Sequence, residues 1–226
     1  MRPGGRPREE VPAVIEFVQD RWADIAYRSY QHASLVTQAV VIATLVAIAL
    51  GVLVTRVRAL RGVANALTSI GLTIPSFALL GLALPILGIG VLPSVAVVVF
   101  YAVLPILRNV VVGLDGVPGQ LVESARGMGM NPVDTFVRVR LPLAWPVILT
   151  GVRVSTQMSM GVAAIAAYAL GPGLGGYIFT GLSQIGGANA VSYALVGTVG
   201  IVLLALLLDA LLVLVGRLTI PKGIRS

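Results

Sequence analysis

Apolar and polar positions fall in long blocks along this chain, not in the short alternation of a half-buried strand. From Leu35 to Val54 the residues are almost all apolar, and the block closes on Arg56, Arg58 and Arg61. Between Arg61 and Arg108, and again between Arg153 and Asp209, no charged residue occurs. A membrane-spanning helix needs about 20 apolar residues, so each charge-free stretch has room for two spans and a turn. The turns fall at Gly88-Ile89-Gly90, with Pro93 just beyond, and at the glycine-rich run Gly171 to Gly176. The pattern predicts an all-α, polytopic membrane protein with five spans, at about 35–54, 66–87, 92–112, 146–170 and 192–215.

Composition agrees and removes several function classes. The chain is 57% hydrophobic and 11% charged, where soluble domains carry about 25% charged residues. It has no cysteine and one histidine, His32, which removes thiol chemistry and makes a zinc site untenable. The single lysine, Lys222, follows Ile220-Pro221, so no phosphate-binding GxxxxGK[ST] loop exists. A membrane-embedded enzyme fails for want of a Cys, His or paired-carboxylate constellation.

The formal charge of +7 could point to nucleic acid, but its placement points elsewhere. The tail, residues 1–34, balances Arg2, Arg6, Arg8, Arg21 and Arg28 against Glu9, Glu10, Glu16, Asp20 and Asp24. Arg56, Arg58, Arg61, Arg108, Arg126, Arg138, Arg140, Arg217, Lys222 and Arg225 lie after spans one and three and at the C-terminus. The positive-inside rule then predicts the N-terminus outside and the C-terminus in the cytoplasm. The excess charge is a topology signal, and a nucleic-acid partner is not expected.

The tail holds no signal-peptide h-region before residue 34. Val11, Val14, Ile15, Val18, Trp22 and Ile25 share one helical face, with Glu16, Gln19, Asp20 and Arg28 mostly opposite. This predicts an amphipathic helix over 9–30, lying either on the outer membrane surface or against another subunit. The membrane-spanning domain would then be residues 35–226. Residues 113–145 are the longest polar stretch inside the chain. Pro118 starts a helix that breaks at Gly127-Met128-Gly129. Asn131 as N-cap, Pro132 at N1 and Asp134 near N3 open a second one, which is expected to stop at Leu141-Pro142.

In that stretch Glu123-Ser124-Ala125, then Gly129, then Val139-Arg140-Leu141-Pro142 resemble the EAA loop of ABC-importer permeases, with Ser124 and Val139 as mild departures. The likeness extends to Thr73–Gly81, Tyr101–Asn109, Gly171–Gly176 and Leu218–Gly223. Within that family the chain is similar to permeases of osmoprotectant importers, which take up glycine betaine, choline, carnitine and related quaternary amines. The resemblance implies the type I importer fold and a pore built with a second permease subunit, identical or similar. It also implies two cytoplasmic ATPase subunits that bind ATP and Mg, and an extracellular substrate-binding protein. No cofactor is expected in this chain. Glu123, Ser124, Ala125, Gly127, Gly129, Val139, Leu141 and Pro142 would couple it to the ATPase. Gly127 and Gly129 would allow the tight turn, Ala125 would keep the seated face thin, and Leu141-Pro142 would set the exit angle.

Two other readings stay open at this point. The same architecture serves methionine, another amino acid or an inorganic anion. A secondary transporter or channel is a separate class, although five spans do not divide into repeats. Arg153 and Asp209 are expected near the cytoplasmic ends of their spans, as snorkelling residues or as an ion pair. Pro75, Pro85 and Pro105 lie inside spans. Tyr168, Tyr177 and Phe179 read as an aromatic belt, since the resemblance places any aromatic cage on the binding protein. His32 is expected at the interface.

Overall fold

A computed structural model describes residues 7–220, with side chains from Val14 onward and that of Arg58 left aside. Arg2, Arg6, Lys222, Arg225 and the Pro221–Gly223 end of the C-terminal motif lie outside the described residues. So do the side chains of Arg8, Glu9, Glu10 and Val11. The described residues are almost entirely helical and contain no strand.

In chain order the elements are α1 (Pro7–Arg56), α2 (Arg58–Thr73), α3 (Ser76–Leu87), α4 (Val91–Asp115), α5 (Gly119–Gly127) and α6 (Pro132–Thr135). A π-helical segment (Phe136–Arg140) leads into α7 (Leu141–Ala166), which ends in a 3-10 turn; α8 (Gly175–Ser183) and α9 (Ala190–Thr219) complete the chain. Among the described residues, four helices are long and apolar enough to cross a membrane. The pair α2–α3, bent by 96° at its break, would make a fifth span.

Three sequence expectations are corrected here. The helix predicted over 9–30 and the first span are one uninterrupted helix, α1, with no break near residue 34. The stretch offers no glycine or proline between Pro12 and Gly51 to end a helix. The span expected at 66–87 is broken at Ile74-Pro75, because proline drives the preceding residue out of the helical region; Ile74 sits at φ −67°, ψ 127°. The Ile74 carbonyl accepts a hydrogen bond from the Tyr101 hydroxyl. The helix expected to stop at Leu141-Pro142 runs on instead. A π turn places its wider i→i+5 pattern where Pro142 withholds an N–H, and the apolar segment continues from Pro132 to Ala169.

The chain forms two compact units. One collects the described residues up to Gln38, Ser76–Val98 and Met160–Leu206. Its core includes Phe17, Tyr177 and Val196, with Val14, Ile25 and Tyr193 packed against them. The helical wheel did not single out Phe17, which is buried, while of the apolar face it named Val14 and Ile25 pack on this core and Ile15, Val18 and Trp22 stay exposed. Ring contacts decide this, since Phe17 meets Tyr193 and Tyr177 edge-on at 4.7 and 6.2 Å. Arg21 lies 5.2 Å over the Phe17 and Tyr193 rings and Arg28 lies 5.4 Å over Tyr177. Arg28, which the helical wheel set on the polar face, thus finds an aromatic partner.

The other unit holds Ala39–Pro75, Val99–Ser159 and the described residues from Leu207. Here helices approach through small residues, as membrane helices commonly do. Ala39, Ala43 and Ala47 form a fully buried stripe on α1, and a Cβ at Gly51 would lie 2.3 Å from Val110. The Ser155 hydroxyl donates to the Ala102 carbonyl at 2.9 Å, tying α7 to α4. On the opposite side of α1, Val41, Leu45 and Leu53 are exposed, the face a bilayer would cover.

Candidate functional site

The polar stretch folds as a helix–turn–helix whose turn is fully specified by local chemistry. Met128 caps α5, and Gly129 follows at φ +85°. The Gly129 amide donates to the Arg126 carbonyl at 2.9 Å and the Met130 amide to the Ala125 carbonyl at 3.1 Å. This pair of bonds is a Schellman motif, and glycine is the residue that enters its left-handed position without strain. One residue later the Asn131 side chain accepts from the Val133 and Asp134 amides, both at 2.9 Å, and its amide nitrogen donates to the Asp134 carboxylate at 2.6 Å. Asn131→Ala should lower thermal stability, at a cost of about 1 kcal/mol in cap energy. Melting of the purified complex checks this; an unchanged midpoint would show the cap is dispensable.

The eight coupling candidates divide by exposure. Ala125 is buried at 1%, and Thr135 of α6 is buried as well. This corrects the expectation that Ala125 thins an outward seat; its small side chain instead faces the interior of this chain. Glu123, Ser124, Gly127 and Gly129 are exposed, and Glu123 makes no ion pair among the described residues. Around them Leu121, Met128 (74% exposed), Val133 and Val137 project outward. Val139 lies in the π segment, while Leu141 and Pro142 begin α7, and all three are half-buried. The base of the motif is anchored: Arg140 donates to the Leu114 carbonyl at 3.2 Å, and a Cβ at Gly113 would lie 3.1 Å from the Ala144 carbonyl. Exposed apolar side chains beside a carboxylate with no ion pair among the described residues have the chemistry of an interaction surface. No single position in the sequence showed this cluster, because its members come from two helices.

Arg153 of α7 and Asp209 of α9 form a bidentate pair, Nε to Oδ1 and Nη2 to Oδ2, both 2.8 Å. The pair was anticipated as one option, but not its depth. Arg153 lies roughly three helical turns beyond Leu141, well inside the apolar segment.

Two other residues depart from expectation. His32, predicted at an interface, is fully buried; its Nε2–H donates to the Met160 carbonyl at 3.2 Å. Gly173 packs on it so closely that a Cβ would lie 2.7 Å from Nδ1. Tyr177, predicted in an aromatic belt, is buried at 1%, and its hydroxyl donates to Asp24 at 2.6 Å. Burial, and then that hydrogen bond, push its phenol well above the usual range. Tyr168 does stay exposed, its ring tilted against those of Phe77 and Phe179 at 4.9 and 5.4 Å. The Gly171–Gly176 run is a turn that opens into α8, a short helix the hydropathy pattern did not reveal.

Comparison with known proteins follows this geometry. A family model described as the binding-protein-dependent transport system inner membrane component matches residues 30–220. The chain is 38% identical over 212 residues to the choline transport system permease protein OpuBB of Bacillus subtilis, covering 94% of this chain and 96% of that one. Against the glycine betaine/carnitine/choline permease OpuCB of the same organism it is 36% identical over 213 residues, covering 94% and 96%. Against the osmoprotectant import permease OsmW of Salmonella typhimurium it is 38% identical over 216 residues, covering 93% and 99%. Among solved structures, a chain of the inward-facing MetNI methionine ABC transporter superposes with a TM-score of 0.69. That match covers 89% of this chain and 96% of that one at 24% identity, which establishes the shared fold.

Proposed function

Because the chain belongs to the family of binding-protein-dependent transport system inner membrane components, we propose that it is the pore-forming permease of an ABC importer for a small quaternary amine. Glycine betaine, choline or carnitine is the cargo class. The observation that carries this cargo is near-complete alignment, at 36–38% identity, with permeases named for choline, carnitine and glycine betaine. The methionine transporter at 24% identity shares the fold and lends methionine no support as cargo.

In this reading the chain itself carries out no catalysis, and ATP with Mg binds the partner ATPase. The exposed face of α5 and α6 seats in that ATPase: Met128, Leu121 and Val133 fill a cleft while Glu123 meets a donor at its rim. The Schellman turn makes the two short helices one rigid body. The Arg140 anchor and the continuous π-to-α7 helix carry the movement into the membrane, since packed elements shift between discrete arrangements and do not bend gradually. The segments bearing Arg56, Arg61 and Arg217 lie on the cytoplasmic side and the start of α1 outside. A second permease, identical or similar, completes the pore, and an extracellular binding protein delivers the solute.

Purification of the tagged chain from its native membrane in mild detergent should bring down a stoichiometric nucleotide-binding subunit. A homo-oligomer that transports without ATP would remove the importer reading. Titration of the associated binding protein with glycine betaine, choline, carnitine, proline and methionine then settles the cargo. Tight binding of methionine alone would sink the quaternary-amine reading.

A further inference from the structure

The exposed surfaces of α7 and α9 differ in chemistry, and the difference marks which one meets water. From Leu195 to Val215 the exposed large side chains of α9 are apolar, among them Leu195, Val199, Leu203, Leu206 and Leu211, and Thr198 is the one exposed polar residue of that stretch. That is the surface a lipid bilayer accepts. On α7, in the apolar segment of the same length scale, Thr150, Val154 and Gln157 are exposed on one face, with Arg153 beside them. Gln157 lies one turn after Arg153, and its side chain is near enough to Asp209 to act on its carboxylate.

The ion pair is not sealed in the interior. The Arg153 side chain is 40% exposed and that of Asp209 21%. Arg153 engages Asp209 through Nε and Nη2, and its Nη1 donates to no acceptor among the described residues. The pair therefore offers an unused guanidinium edge and a partly open carboxylate side by side. Charged groups at such depth face a bundle interior or a water-filled cavity and not hydrocarbon.

We propose that Arg153, Gln157 and Asp209 form a transit site on the water-lined side of α7, one that recognises a zwitterion bearing a carboxylate and a quaternary ammonium. The solute's carboxylate accepts from the free Nη1 edge of Arg153 and from the Gln157 amide. Its ammonium carries no N–H and needs only a nearby negative charge, which Asp209 supplies. A solute of zero net charge enters and leaves an ion pair of zero net charge, so neither step strands an unpaired charge in the membrane. A purely cationic solute satisfies Asp209 but faces Arg153 as a like charge. The inference rests on the permease reading above for its solute class, while its geometry does not.

The absence of native cysteine makes a direct test simple. In membranes holding the whole transporter, Thr150→Cys and Gln157→Cys are treated with a water-borne, membrane-impermeant thiol reagent. Leu203→Cys and Leu211→Cys serve as lipid-side references. Labelling at 150 and 157 should be far faster than at 203 and 211, and glycine betaine supplied with the binding protein should slow it at 157. Equal rates at 157 and 203 would overturn the proposal. A second readout tests selectivity. Arg153→Gln should move the uptake ratio from betaine toward choline by about tenfold, the order that one close charge contact carries. Should the paired apolar change Arg153→Met with Asp209→Leu transport betaine at the native rate, the pair is a structural strut and the site does not exist. If the complex proves to carry no quaternary amine, the cargo reading fails, whereas the labelling pattern still reports whether this face meets water.

Discussion

Gly129→Asp should reduce solute uptake to background while the permease remains inserted and present at its normal level. Gly129 occupies φ +85°, and forcing a side chain into that region costs about 1–2 kcal/mol. That is too little to unfold a helical membrane protein whose main contacts lie elsewhere. A Cβ at this position meets nothing of the chain itself within 4 Å, so the added carboxylate is not rejected by the permease. What it meets is whatever covers the turn. On the proposed docking, a charge beside exposed Met128 must be desolvated when the ATPase closes on that face, or it prevents seating. Gly129→Asn, which tolerates left-handed backbone and adds no charge, should lose distinctly less. Uptake in cells and ATPase activity in proteoliposomes, with membrane abundance measured alongside, check this. Native uptake by the Asp variant would show that the turn does not dock.

Gly175→Val has the largest expected effect on the fold itself. A Cβ at Gly175 would lie 2.1 Å from the Ala164 carbonyl oxygen and 2.8 Å from its carbon. These are backbone atoms of α7, which cannot turn aside as a flexible side chain does. The start of α8 must therefore move away, opening the packing around buried Leu174 and Tyr177. Overpacking of a tight contact costs about 1–3 kcal/mol and more where backbone is displaced. The amount of inserted protein and its melting temperature in detergent should both fall clearly. Gly81→Ala, where nothing lies within 4 Å, should leave both unchanged. A Gly175→Val protein that accumulates and melts like the native one would mean that α8 does not pack as described.

Much of this was readable from residues in a row. Caps, turns and proline effects act over a few positions, so Asn131-Pro132 and Gly127-Met128-Gly129 announced their helix ends directly. Hydropathy likewise located the apolar blocks, because a bilayer imposes a length on them. The same local reasoning misled at Leu141-Pro142, where a π turn absorbs a proline that usually ends a helix. It also erred at Ile74-Pro75, where a span of sufficient hydropathy is broken in two.

What the order of residues determined by itself is the all-helical membrane class and the helix–turn–helix. These depend on composition and on interactions between near neighbours. Tertiary structure alone decided which face of α1 is buried, because Phe17 takes its place by meeting Tyr177 and Tyr193 from distant helices. It decided that Ala125 faces inward and that Tyr177 and His32 are interior. It also joined Arg153 to Asp209 across 56 positions of sequence. A helical wheel ranks faces by polarity, but burial is assigned by the partner that arrives, and an isolated segment does not contain its partner.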